Sequence, residues 1–130
     1  QLQRAVFEGL AFAIVDALQG YPQGGELYLT GGVAASATWL QIIADCTGRT
    51  VVSSAFNELS ARGAAILAAR SVAALAETPP LAQTRYQPRP QAHARYAALY
   101  PVYRLLREQM LPVWQARQAA LQPLSQDLQP

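Results

Sequence analysis

The segment Leu29-Thr30-Gly31-Gly32-Val33-Ala34-Ala35-Ser36 is where this sequence could bind a ligand through its backbone. Two adjacent glycines carry no Cβ, so a ligand can approach the main chain closely. Leu27-Tyr28-Leu29-Thr30 reads as a short buried strand leading into them. Ser36 reads as the N-cap of a helix whose apolar stripe is Trp39, Leu40, Ile43 and Ala44. Open α/β sheets bind ligands just past the carboxyl ends of their strands. A helix N-terminus adds unpaired N–H groups that favour an anion. Together these features suit a nucleotide phosphate or ribose. The competing reading is a tight strand-to-helix turn with no ligand. The spaced glycines of the dinucleotide fingerprint and the Gly-Lys-Ser/Thr of the phosphate loop are both absent. Val33 disfavours positive φ, so the turn must fall within Gly31-Gly32, and Gly32 is expected to need that freedom.

Other candidate groups have simpler explanations. Asp45 lies at the far end of the helix from the glycines, which suits a structural hydrogen bond or ion pair better than acid–base chemistry. Arg4 and Glu8 are one helical turn apart and read as a surface or interdomain pair. Glu58 sits at a helix start, where the dipole favours it. Trp39 reads as a core residue rather than a base stacker, and Gly63 as a site of close packing inside a helix. Cys46 and His93 are the only cysteine and histidine. They offer no metal-ligand spacing, and no internal disulfide is possible. All ten basic residues are arginines, which excludes lysine chemistry.

The elements that must hold the glycines follow from periodicity. Leu2, Val6, Phe7, Leu10, Ala13, Ile14, Ala17 and Leu18 mark an amphipathic helix that ends near Gly20-Tyr21-Pro22. Gly48 suits a C-cap, and Thr50-Val51-Val52 reads as a second strand. Asn57 could cap a third helix running to about Leu75. The order helix, strand, helix, strand, helix implies α/β structure, with parallel strands joined by crossover helices. Two strands are too few for a stable sheet, so the rest is expected from missing sequence or another chain. The chain opens inside a helical pattern with no initiator methionine, which also points to a piece of something longer. Pro79, Pro80, Pro88 and Pro90 mark an extended segment. A tail helix with Tyr96, Leu99, Tyr103, Leu106 and Met110 follows, and Pro101 and Pro112 are expected to kink or break it.

The composition is that of a folded domain, with 52% hydrophobic and 14% charged residues. A net charge of +2 argues for no partner by itself. No apolar run is long enough to span a bilayer and no signal peptide is visible, so no membrane partner and a cytoplasmic setting are expected.

Several of these segments, in one order, resemble the FGGY carbohydrate kinases. Arg4-Ala5-Val6-Phe7-Glu8-Gly9-Leu10-Ala11-Phe12 is similar to the helix before that family's nucleotide loop. Leu29-Thr30-Gly31-Gly32, Ser36 and Trp39-Leu40-Gln41-Ile42-Ile43-Ala44-Asp45 resemble the loop and its helix. Gly48-Arg49-Thr50-Val51-Val52 and Glu58-Leu59-Ser60-Ala61-Arg62-Gly63-Ala64-Ala65 resemble the next turn and strand and the last core helix. The tyrosines of the tail are similar to family C-termini, those of xylulokinases included.

The resemblance implies part of a ribonuclease-H-like (actin-like ATPase) domain. Residues 1–78 would be the C-terminal portion of the nucleotide-binding domain, 79–91 a Pro-rich linker and 92–130 a C-terminal helical tail. It implies ATP and Mg²⁺, with transfer of the γ-phosphate to a small sugar or polyol such as xylulose. The sugar and the catalytic aspartate would belong mainly to another domain, so this piece alone would be inactive. Gly31, Gly32, Ala35 and Ser36 match the family's nucleotide-contacting positions. Val33 stands where many relatives have a third glycine, and Ala35 where many have a polar or basic residue, so Ala35 can offer only backbone contacts. Two alternatives stay open. One is a non-catalytic nucleotide-binding or scaffold domain. The other is nucleic-acid binding by the arginines and tyrosines of the tail, against which the tyrosines fall at core-facing helical steps, so no nucleic acid is expected. Homo-oligomerisation is left open.

Overall fold

The computed structural model describes residues 2–22, 24–54, 58–72 and 80–126, with side chains up to residue 121. The chain divides into two compact units, residues 1–96 and 97–130. The elements are α1 (Leu2–Ala17), β1 (Leu27–Leu29), α2 (Ala37–Thr47), β2 (Val51–Ser54), α3 (Leu59–Val72), β3 (Gln83–Tyr86) and α4 (Pro90–Gln126). Short 3₁₀ turns cover Leu18–Gly20 and Gly31–Ala35.

β2 is the middle strand. It runs parallel to β1, with Leu27 opposite Val51 and Leu29 opposite Ser53. It runs antiparallel to β3, with Val51 opposite Tyr86 and Ser54 opposite Gln83. The α/β architecture, the parallel pair joined through α2 and the helical C-terminus agree with the sequence reading. The third strand corrects it. Gln83-Thr84-Arg85-Tyr86 supplies a strand from within the chain, and that strand is antiparallel. An edge strand needs only one hydrogen-bonded ladder, so a polar segment flanked by prolines suffices. Arg85 also forms an ion pair with Glu26, just before β1.

The tail helix is not broken at its prolines. α4 continues through Pro101 and Pro112 without a break. Each proline removes one amide donor and crowds the carbonyl four residues earlier, yet the helix spans 37 residues across both. Within 97–126, Arg104 and Glu108 pair along the helix at 3.5 Å, and Tyr100 stacks near Tyr103. Asn57 and Leu75, the expected bounds of α3, lie outside the described residues. Gly63 was expected to permit close packing. A Cβ there would meet nothing within 4 Å, and α3 has no buried residue among those described.

The core is built on α2 and β2. Val51, Val52 and Ser53 are buried in succession, as befits a strand covered on both faces. α2 buries Leu40, Ile42, Ile43, Ala44 and Cys46, so it is an internal helix rather than a one-sided one. α1 adds Ala11 and Phe12, and Phe12 meets the buried Tyr96 edge-on at 6.0 Å. Full burial of Leu40 or Ile43 contributes about 1.5–3 kcal/mol each.

Asp45 lies inside this core, fully buried. Its Oδ1 accepts the Arg89 backbone N–H at 2.8 Å and Gln41 Nε2 at 3.0 Å. Its Oδ2 accepts Arg89 Nη2 at 2.5 Å and Nε at 3.1 Å. Burial pushes the carboxyl pKa up, but the Arg89 and Gln41 hydrogen bonds outweigh it and hold the group below its ordinary 3.8. The expected structural role of Asp45 is the observed one. The neighbouring stretch is tied down as well. Gln41 Nε2 donates to the Gln87 carbonyl, and Thr50 Oγ1 to Gln87 Oε1, both at 2.8 Å. His93 Nδ1 donates to the Asp45 carbonyl at 2.9 Å. Gly48 ends α2 in the left-handed region at φ 67°, its N–H donating to the Ala44 carbonyl, as expected of a C-cap. A Cβ on Gly48 would stand 2.6 Å from His93 Cε1.

Asp45→Ala should lower stability by about 2–3 kcal/mol, because part-buried donors at Gln41 and Arg89 lose a charged acceptor. Urea denaturation as a function of pH checks it. The Asp45 contribution is complete above about pH 4 and is lost as pH falls through its lowered folded-state value, and the variant should lack that acid-side loss. Gly48→Ala should cost more than Gly31→Ala. Both put a Cβ into left-handed backbone, at about 1–2 kcal/mol, but only the first displaces His93. Adding His93→Ala should remove the excess.

Candidate functional site

Gly31, Gly32, Ala35 and Ser36 fall on one continuous loop between the carboxyl end of β1 and the first turn of α2. Gly31–Ala35 winds as a 3₁₀ turn, closed by Ser36 N–H donating to the Val33 carbonyl at 3.4 Å. Gly31 alone takes positive φ, at 76°. Gly32 does not, which corrects the expectation that it must. A Cβ on Gly32 would meet no protein atom within 4 Å. Gly32 and Ala35 are exposed, and Gly31 and Ser36 half-buried. Ser36 is the N-cap foreseen from sequence: its Oγ accepts the Trp39 N–H at 3.3 Å and its carbonyl the Leu40 N–H at 3.0 Å. With the acceptor role of Oγ engaged, the hydroxyl proton is still available to a ligand.

Beside the loop, α1 and the start of α2 flank a half-open pocket of about 180 Å³ lined by Gln3, Arg4, Phe7, Ser36 and Thr38. Phe7 stacks on Trp39, with centroids 5.1 Å apart and planes 10° from parallel. Arg4 Nε donates to Glu8 Oε1 at 2.9 Å and Nη2 to the Tyr96 hydroxyl at 3.1 Å. Tyr96 Oη donates to the same Glu8 oxygen at 2.7 Å. Burial, followed by the Glu8 bond, raises the Tyr96 pKa, so the phenol keeps its proton. The Arg4–Glu8 pair was legible at helical spacing. Its third member, Tyr96, was not, because it is 88 residues from Glu8.

Residues 1–72 match the C-terminal domain of the FGGY family of carbohydrate kinases. The chain belongs to this family. A probable L-xylulose kinase from Pasteurella multocida (strain Pm70) is 32% identical over 110 residues, covering 81% of this chain and 23% of that protein. A glycerol kinase from Koribacter versatilis (strain Ellin345) is 34% identical over 96 residues, covering 66% of this chain and 19% of that protein. Among solved structures, the xylulose kinase from Rhodospirillum rubrum is similar with a TM-score of 0.67 at 28% identity, over 88% of this chain and 25% of that one. The ligand-bound xylulose kinase from Lactobacillus acidophilus has a TM-score of 0.72 at 23% identity, over 84% of this chain and 24% of that one, a likeness of fold. The FGGY chain thus spans about a quarter of the length of these structural relatives.

Among the described residues of this FGGY chain, no group of three or more His, Cys, Asp or Glu side chains is placed to hold a metal ion. No described helix is long and apolar enough to cross a membrane. Cys46 is buried, and burial, with Glu8 and Asp45 adding to it, pushes its thiol up to about 12. The thiolate is the reactive form. Cys46 should therefore resist iodoacetamide at pH 7 in the folded protein and react once urea unfolds it. Mass spectrometry of the alkylated chain reads both states, and rapid native labelling would contradict this environment.

Proposed function

We propose that this chain contributes the nucleotide-holding part of an ATP-dependent sugar kinase, within a ribonuclease-H-like (actin-like ATPase) domain. The intact enzyme transfers the γ-phosphate of ATP to a hydroxyl of a small sugar or polyol, a ketopentose such as xylulose being the favoured substrate. The names of the relatives support the substrate class. The observation that carries the reading is the glycine loop: half-buried Gly31 and exposed Gly32 stand at the carboxyl end of a parallel strand, and the Ser36-capped start of α2 follows within one 3₁₀ turn.

Phosphoryl transfer needs positioning and charge neutralisation more than covalent help from the protein. The sugar oxygen forms its bond to the γ-phosphorus as the bond to the ADP oxygen breaks. The hydroxyl proton passes to a carboxylate outside this chain. The chain's own share is to hold the nucleotide, through the open backbone at Gly31, Gly32 and Ala35, the Ser36 hydroxyl and the first N–H groups of α2. Mg²⁺ accompanies the phosphates in such a reaction and would supply charge neutralisation there, held mainly by phosphate oxygens, water and one or two carboxylates. The sugar is bound mainly by another domain. Use of ATP fits a cytoplasmic setting.

Gly32→Val tests the assignment cleanly. The backbone at Gly32 is not left-handed and the space around it is open, so the variant should fold like wild type. Its side chain would occupy ligand space. The ATP dissociation constant of the intact enzyme should rise about tenfold, or ~1.4 kcal/mol, with sugar affinity unchanged. Calorimetric titrations with nucleotide and with sugar measure both. Unaltered nucleotide binding in a folded Gly32→Val protein would reduce the loop to a turn.

A further inference from the structure

The cavity beside the glycine loop has walls that the loop itself does not use. At about 180 Å³ it is smaller than the roughly 300–1,000 Å³ of a whole small-ligand pocket, so it takes one part of a ligand. Ser36 belongs both to this cavity and to the glycine loop, so a nucleotide held by the loop has a neighbouring part here. Phe7, backed by the Trp39 ring, supplies a flat apolar wall that suits a planar ring and does not suit a phosphate. Gln3, Arg4 and Thr38 supply the polar wall.

Arg4 is held in place before any ligand arrives. Glu8 and Tyr96 engage its Nε and Nη2, which uses two of the five N–H donors of a guanidinium. The Glu8 carboxylate also offsets the Arg4 charge, which disfavours a phosphate there and leaves neutral hydrogen bonding to acceptors. An arginine fork matches the O6 and N7 acceptors of a 6-oxopurine, and a glutamine amide matches N6 and N7 of a 6-aminopurine. This chain places one of each side by side on the first turn of α1.

We propose that Gln3 and Arg4 form a base-reading pair in the nucleotide site. The pair admits 6-oxopurine triphosphates (ITP and GTP) alongside ATP, with Arg4 serving the oxopurine and Gln3 the aminopurine. The inference rests on the proposed function and deepens it at the same site. Both residues are exposed on a helix surface, so single substitutions are accommodated, and Arg4→Met keeps the unbranched stem.

The test is steady-state kinetics of the intact kinase with ATP, ITP and GTP at saturating sugar, for wild type, Arg4→Met and Gln3→Ala, with melting curves for each. Wild type should use ITP with a KM within about tenfold of that for ATP, given the size of a single bidentate base contact. Arg4→Met should raise the ITP and GTP KM about tenfold more than the ATP KM. Gln3→Ala should shift the ratio the other way, and neither should change the sugar KM. If Arg4→Met melts early, the ratio in Gln3→Ala decides alone. An ATP-to-ITP ratio unmoved in the folded variants, with ATP turnover intact, overturns the base-reading pair and leaves the nucleotide-loop reading standing. A wild-type enzyme that turns over no nucleoside triphosphate overturns both.

Discussion

A buried carboxylate is costly unless its oxygens are filled by donors, and Asp45 imposes that condition on the whole N-terminal unit. α2 supplies one donor from Gln41, one turn earlier. The other donors come from Arg89, 44 residues further on, through both its backbone N–H and its side chain. Without residues 83–93 against α2, Asp45 would be a buried charge with Gln41 as its remaining donor. Once they dock, β3 is in register with β2, His93 covers the end of α2 at Gly48, and Tyr96 enters the core. The segment that looks like a linker by its prolines is therefore what closes the sheet and fixes the central helix.

That anchoring reaches the candidate site along α2. Its C-terminal half is held by Asp45 and its N-terminal turn carries Ser36, so the glycine loop hangs from a helix that is fixed at its far end. Tyr96, placed by the same docking, reaches Glu8 and Arg4 on α1. Those contacts orient the wall of the cavity beside Ser36. The candidate site is thus assembled from parts far apart in sequence, joined by one short 3₁₀ turn.

What could be read from the sequence was local. Ser36 as N-cap, Gly48 as C-cap, the parallel strand pair and the Arg4–Glu8 pair all follow from residue type and spacing within a few positions. The structural role of Asp45 was legible by exclusion, since it lies a helix length from the glycines. Its partner was not, because nothing local marks Arg89 among ten arginines. β3 was missed because Gln83, Thr84 and Arg85 are exposed in this short strand and carry no apolar alternation. Which of the two glycines takes positive φ depends on how the loop joins α2, and the order Gly31-Gly32 does not distinguish them. Pro101 and Pro112 would break a short helix, yet α4 carries both because the ladder on either side is long.

On the proposed function, nucleotide meets this chain at the loop between β1 and α2. Amide hydrogen exchange of the intact protein, with and without ATP, tests that most directly because it reports on every backbone N–H at once. Exchange should slow at residues 31–38 and over the first turn of α1. The C-terminal half of α2, already locked by Asp45 and Arg89, should exchange slowly in both conditions and change little. Unchanged exchange across residues 31–38 in protein saturated with ATP would contradict the assignment, wherever else protection appeared.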